Sequence, residues 1–243
     1  MIDTWGRAAV RLLRRQAAPV TYALIATCCA VFLLSPVSGL NPAYGTGETL
    51  VAAQRAYFER WGVVPVELLS GKPRAALTLV TALFVHGSWL HLLGNMLFLY
   101  VFGVMVEERM GHLQYALFTV GCGALALLGY AIAHAGSPGT LVGASGAISA
   151  VLGAFLHLFP KARVTSLFPF LFFLPLRFPA WVVLPFWVAL QWVAASQQKQ
   201  GPGVAYLAHL VGFGLGFCYA WGRAGRPSTV KSSGTATEGD SQP

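Results

Sequence analysis

The chain has 243 residues, of which 56% are hydrophobic and only 10% charged, with a mean hydropathy of +0.63. That balance excludes an ordinary water-soluble globule and defines an integral membrane protein. The net charge of +8 would suit a nucleic-acid partner, but no basic stripe with interleaved aromatics stands outside the apolar runs, so no nucleic acid is expected.

Charge-free runs cover 16–47, 75–106, 110–160, 178–198 and 200–222, each at least as long as the roughly 20 residues a helix needs to cross hydrocarbon. The run 110–160 is too long for one helix and breaks at Ala135-Gly136-Ser137-Pro138-Gly139-Thr140, where Gly and Pro punctuate two apolar segments. The five runs therefore predict six spans in an all-α, polytopic bundle. With the first segment in the cytoplasm, Arg7, Arg11, Arg14, Arg15, Arg109, Lys161, Arg163, Arg223, Arg226 and Lys231 fall inside, against Arg55, Arg60, Lys72, Arg74 and Lys199 outside. Positive charge thus concentrates on the inner side, with both termini cytoplasmic.

In chain order, residues 1–19 form a basic segment suited to an anionic inner surface. Residues 20–34 read as either a first span or the core of a signal peptide, with Arg14-Arg15 ahead of them serving both; a retained span is expected because no small-x-small cleavage site follows cleanly. A long outer loop, 36–74, carries Tyr44, Tyr57, Phe58 and Trp61, which suits an interfacial rest and a function. The second span is expected over 77–106 and contains His91 and Asn95, four apart and hence on one helical face. Next comes Glu107-Glu108-Arg109-Met110-Gly111, a charged turn whose simplest role is capping and a salt bridge.

The third span, 113–133, is ordinary apolar sequence. The fourth, 143–159, is short and begins at Gly143-Ala144-Ser145-Gly146, so at about 1.5 Å per residue its outer end can open to water. Residues 164–174 read as an interfacial segment broken by Pro169. The fifth span, 178–196, holds Pro179, Pro185, Trp181, Trp187 and Trp192, which fits a lipid-facing, mobile helix. In the sixth, 204–221, Ala208, Gly212 and Gly216 recur every four residues and let a neighbouring backbone approach. Residues 223–243 are polar and expected to be disordered. Cys28, Cys29, Cys122 and Cys218 fall in spans as apolar filler, with no disulfide framework or metal-like spacing. No cofactor and no metal are expected.

Four polar groups inside apolar spans remain, and such groups are costly without partners or a task. Taken alone, the stretch around Ser145 reads equally as a close helix contact or as a reactive centre. A histidine in matching surroundings, His209, offers a base for the serine hydroxyl. No acidic residue within a span is available to orient it, so a dyad rather than a triad is expected. His91, Asn95 and the Ser145 backbone N–H are candidate oxyanion donors.

The runs His86-Gly87-Ser88-Trp89-Leu90-His91-Leu92-Leu93-Gly94-Asn95, Glu107-Glu108-Arg109-Met110-Gly111, Gly143-Ala144-Ser145-Gly146-Ala147 and Ala208-His209-Leu210-Val211-Gly212 with Gly216 stand in the order seen in rhomboid intramembrane serine proteases. The sequence resembles that family closely over 75–222, within a membrane domain taken as 20–222. The resemblance implies Ser145 as nucleophile, His209 as general base, and His91 with Asn95 in the oxyanion site. It implies supporting roles for His86, Gly143, Gly146, Glu107, Arg109, Gly212 and Gly216. It also implies a fifth span that gates, an active site opening to the extracytoplasmic side of the cell membrane, and substrates that are transmembrane segments of proteins in the lipid bilayer. Two positions depart from the family pattern: Leu77-Thr78 replaces a Trp-Arg pair, and Ser149 replaces an aromatic that packs on the catalytic histidine. The competing expectation is an inactive relative that binds transmembrane segments. A transporter would need charged residues along a path or matched half-helices in two repeats, and neither is present.

Overall fold

The structure is a computed structural model that describes residues 18–168, 174–197 and 205–224. The basic segment expected over 1–19 and the tail expected over 223–243 therefore lie outside the described residues, apart from 18–19 and 223–224. The described chain is an all-α membrane bundle with one two-stranded hairpin.

Helix α1 (Pro19–Leu34) starts with proline in its first turn, where the missing N–H costs nothing. Its N-terminus is closed by a side chain from far along the chain. The wholly buried Glu107 carboxylate accepts from the Val20 N–H at 3.0 Å and from the Thr21 N–H and hydroxyl at 2.7 Å each. His112 Nδ1 lies 2.7 Å from the same carboxylate. An anion at a helix N-terminus also meets the positive end of the helix dipole. The capping expected of the 107–111 turn is met by Glu107 on α1, and the side chain paired with that carboxylate is His112, just beyond the turn, while Arg109 is exposed.

The outer loop is structured. Helix α2 (Gly47–Trp61) buries none of its residues fully, so it lies on the surface. It is followed by α3 (Pro65–Leu68) and α4 (Pro73–Thr81), which a 3-10 turn extends through Ala82–Phe84. Two backbone bonds between Val63 and Leu141, at 2.9 and 2.8 Å, and Val66 N–H to the Ser137 carbonyl at 3.2 Å tie this loop to the segment before Gly143. At the other end, Trp89 Nε1–H donates to the Ser38 carbonyl at 3.3 Å while its ring meets Phe32 edge-on. Those contacts anchor the loop in place of the missing Trp-Arg pair, for Leu77 is exposed and Thr78 bonds only its own helix.

The second span differs from expectation in its start. Residues 73–84 form a separate apolar helix, and the span proper is α5 (Trp89–Met110). The chain breaks at Val85–Ser88 because extended Ser88 caps the new helix, its hydroxyl accepting from the His91 N–H at 3.1 Å. A π-helical stretch, Leu99–Gly103, sits in the middle of α5. Gly111, at φ +85°, turns the chain into α6 (His112–Ala133).

Helix α7 (Ser145–Leu158) is central, with every residue from Gly146 to Phe155 buried. Residues 164–174, expected as an interfacial segment, contribute instead to an antiparallel hairpin, β1 (Arg163–Phe168) with β2 (Leu174–Pro179), in register from Arg163 opposite Pro179 to Phe168 opposite Leu174. Pro169 itself lies outside the described residues. With only two strands both are edges, so Pro175 and Pro179 can be accommodated. The hairpin delivers α8 (Ala180–Gln197), which buries only Ala180 and Leu184 fully. The last helix, α9 (Tyr206–Ala224), packs along α7.

By length and hydropathy α5, α6 and α8 can cross a membrane, while α1, Pro73–Phe84 and α7 are apolar but shorter. Lipid supplies little hydrophobic drive between helices, so their association rests on close van der Waals packing. The α7–α9 contact achieves this by abutting backbones. A methyl group placed on Gly153 would strike the Phe213 carbonyl, one on Gly212 the Gly146 carbonyl, and one on Gly216 the Ala150 carbonyl. Gly146 faces α6 instead, where the added carbon would lie 3.0 Å from Ala126 Cβ.

Gly214 faces open space on the same helix. Gly216→Ala is therefore expected to destabilise the bundle by about 1–3 kcal/mol through overpacking, whereas Gly214→Ala should be neutral or stabilising through helix propensity. Thermal unfolding of both variants in detergent checks the contrast.

Candidate active site

The site is assembled where α7 begins. Gly143 has φ +123°, a conformation that side chains disfavour, and its N–H donates to the Ala82 carbonyl at 2.9 Å. This turn ends the segment fastened to the outer loop and starts α7 at Ser145. The first N–H groups of a helix have no acceptor within it, so the serine hydroxyl emerges beside unspent backbone donors.

His209, in the first turn of α9, points its Nε2 at Ser145 Oγ, 2.8 Å away. It is nearly buried, at 9% exposure. Its other ring nitrogen, Nδ1, lies 2.7 Å from Gln191 Oε1 on α8. The amide oxygen is only an acceptor, so Nδ1 carries the proton and Nε2 accepts from the serine hydroxyl. In this tautomer the histidine can take the serine proton. Trp187, one turn before Gln191, lies nearly parallel to the imidazole at 6.1 Å between ring centroids, and Tyr206 meets it edge-on at 6.3 Å.

His91 and Asn95, one turn apart on α5, lie on the other side of Gly143. A Cβ on Gly143 would be 2.8 Å from His91 Nε2 and 3.7 Å from Asn95 Nδ2. His91 Nδ1 accepts from the Gly87 N–H at 3.3 Å, so in the neutral ring the proton sits on Nε2, facing the glycine. Asn95 Nδ2 is buried and has no hydrogen-bond partner among the described residues. Buried donors without acceptors are rare and costly. Two N–H groups thus converge beside Gly143, two residues before the serine, with no hydrogen-bond partner among the described residues. His86 supports them: it is buried at 1% exposure, with Nδ1 3.3 Å from the Phe84 carbonyl, and packs against the His91 ring at 5.2 Å.

Of the residues singled out from sequence, Ser145, His209, His91, Asn95, His86, Gly143, Gly146 and Gly212 gather at this end of the bundle. Gly216 acts one turn deeper, on the same contact as Gly212. Glu107 and Arg109 do not join them. Asn95 and Glu107 are 12 residues apart on α5, about 18 Å along the axis, and Glu107 serves α1.

The expected pairing of Ser145 with His209, without an acid, is what the structure shows, and Gln191 adds a neutral partner on the second nitrogen of His209. Its signal in the sequence was faint but present: after Arg177 it is the first polar side chain in an otherwise apolar run. The serine that stands where an aromatic was expected, Ser149, is buried and spends its hydroxyl on the Ser145 carbonyl at 2.7 Å. Its small size fits the close approach of Gly212, whose added Cβ would lie 3.3 Å from Ser149 Cβ.

Fold and site together define an all-α membrane protein with a hydrogen-bonded serine–histidine pair at the start of a buried helix. The rhomboid domain matches residues 73–226, and the chain belongs to the rhomboid family, whose members are in general serine proteases of the membrane interior. It is also similar to Rhomboid protein 1, mitochondrial, of Saccharomyces cerevisiae, with 32% identity over 149 residues, 60% of this chain and 41% of that protein. The chain thus spans about two fifths of the length of that relative.

Proposed function

We propose that the protein is an intramembrane serine endopeptidase that hydrolyses peptide bonds in or near transmembrane segments of other membrane proteins. The observation that carries this reading is the 2.8 Å contact between Ser145 Oγ and His209 Nε2 inside an apolar bundle. Hydroxyl and imidazole within hydrogen-bond reach, with the base held in the accepting tautomer, are the geometry of an activated nucleophile.

In the reaction, Ser145 Oγ attacks the scissile carbonyl carbon as its proton passes to His209 Nε2. The carbonyl oxygen becomes an oxyanion beside Gly143, where His91 Nε2–H, Asn95 Nδ2–H and the Ser145 N–H can donate to it. As the tetrahedral adduct collapses, the C–N bond breaks and His209 returns the proton to the departing amine, leaving an acyl-serine. Water then attacks that ester as His209 accepts its proton; the bond between Ser145 Oγ and the acyl carbon breaks, His209 returns the proton to Oγ, and the carboxylic product leaves. His91 and Asn95 are suited to this because they meet no acceptor in the resting site, so their bonding strength is reserved for charge that develops in the transition state.

Water must reach the site, and the length of α7 bears on this. Its 14 residues span about 21 Å, against about 30 Å of hydrocarbon. A six-span topology places Ser145 below the outer surface, with cytoplasmic termini in the cell membrane and a site open to the extracytoplasmic side. The inward excess of Lys and Arg supports that orientation. A substrate helix must unwind locally to present a carbonyl to Ser145, so helix-destabilising segments are the preferred targets.

Two outcomes test the assignment. Asn95→Ala should lower turnover of a reporter transmembrane substrate about 10²–10³-fold with little change in thermal stability, because it removes a donor that bonds nothing in the resting protein. A loss confined to KM would assign Asn95 to docking. Ser145→Ala and His209→Ala should each abolish cleavage in proteoliposomes while the protein stays folded. Cleavage by Ser145→Ala at the wild-type rate would overturn the mechanism, and a folded wild type that binds the reporter without cutting it would assign the protein as a binder.

A further inference from the structure

Resting on the protease reading, we infer that Gln191 on α8 is a positioning residue for His209 on α9. An imidazole has two ways to carry one proton, and only the Nδ1–H form can receive the serine proton at Nε2. Gln191 Oε1, 2.7 Å from Nδ1, stabilises that form. It also becomes a stronger partner when the ring turns cationic, because hydrogen bonds to charged donors are shorter and stronger than neutral ones.

Three further observations point the same way. Ser149 is too small to pin the imidazole from α7 and is occupied with the Ser145 carbonyl. The flat contact on the ring comes instead from Trp187, one turn before Gln191 on α8, which also touches Phe213 at 6.1 Å. Finally, α8 is otherwise weakly held, with full burial only at Ala180 and Leu184 in its first two turns. An amide suits the task because it supplies an acceptor oxygen without the cost of burying an ionised group in an apolar bundle. Glu107 cannot substitute, being committed to α1.

The test compares the full-length protein with Gln191→Leu, which keeps bulk but has no acceptor, and Gln191→Glu, which keeps an acceptor oxygen in either protonation state. Gln191→Leu is expected to lower kcat on the reporter substrate about tenfold, the scale of one hydrogen bond, with KM and melting temperature unchanged. Gln191→Glu should recover most of the lost kcat. Wild-type kcat in Gln191→Leu, or equal loss in the Leu and Glu variants, would overturn the inference while leaving the serine mechanism in place. An effect on KM or on melting temperature without a fall in kcat would overturn it too, assigning Gln191 to packing. A folded wild type without activity would remove the protease reading itself, a result visible before any variant is compared.

Discussion

The structure depends on the backbone-to-backbone contact of α7 with α9. Lipid offers little hydrophobic gain for pressing two apolar helices together, so the approach must come from shape. Gly153, Gly212 and Gly216 provide it by leaving no side chain between one helix and the carbonyls of the other. The consequence is chemical as well as mechanical. Only at that separation does an imidazole in the first turn of α9 reach a hydroxyl in the first turn of α7, and a single methyl group at the contact would move the two reacting atoms apart. The same logic explains Ser149, for a larger side chain there would meet the face on which Gly212 docks.

Polar groups within the bundle divide into two kinds. Glu107 is saturated, taking three bonds from α1 and one from His112, and its burial is repaid in the fixing of a helix terminus. Asn95 Nδ2 and His86 Nε2 are buried without hydrogen-bond partners among the described residues. An unpaired donor is a cost in a folded protein, and this donor sits beside Gly143, where a substrate carbonyl would lie. Asn95 and Glu107 stand on the same helix, so sequence position alone does not tell the saturated group from the unpaired one.

Much of this was legible in the chain itself. Small residues at fourfold spacing in 208–216 announced the close contact, and Ser145 and His209 were conspicuous because polar groups are rare in apolar runs. What the sequence hid was long-range partnership. Nothing near Glu107 indicates that its carboxylate closes a helix that begins 88 residues earlier, at Pro19, and the adjacent Arg109 suggested a local ion pair instead. The break at Val85–Ser88 is hidden because no charged residue interrupts the run 75–106, while the capping hydroxyl of Ser88 is what divides the helices. The hairpin after Lys161 is hidden because its prolines signal helix breaks, although edge strands accept them. Gln191 escaped notice because an amide, unlike an acid, does not advertise a catalytic neighbour.

The central claim is that Ser145 is made nucleophilic by His209 within the membrane. Labelling of the purified, folded protein with a fluorophosphonate probe measures that property without any assumption about substrate. The account predicts covalent labelling of the wild type, and none of Ser145→Ala or His209→Ala under the same conditions. A folded wild type that resists the probe, or label retained in Ser145→Ala, would contradict it.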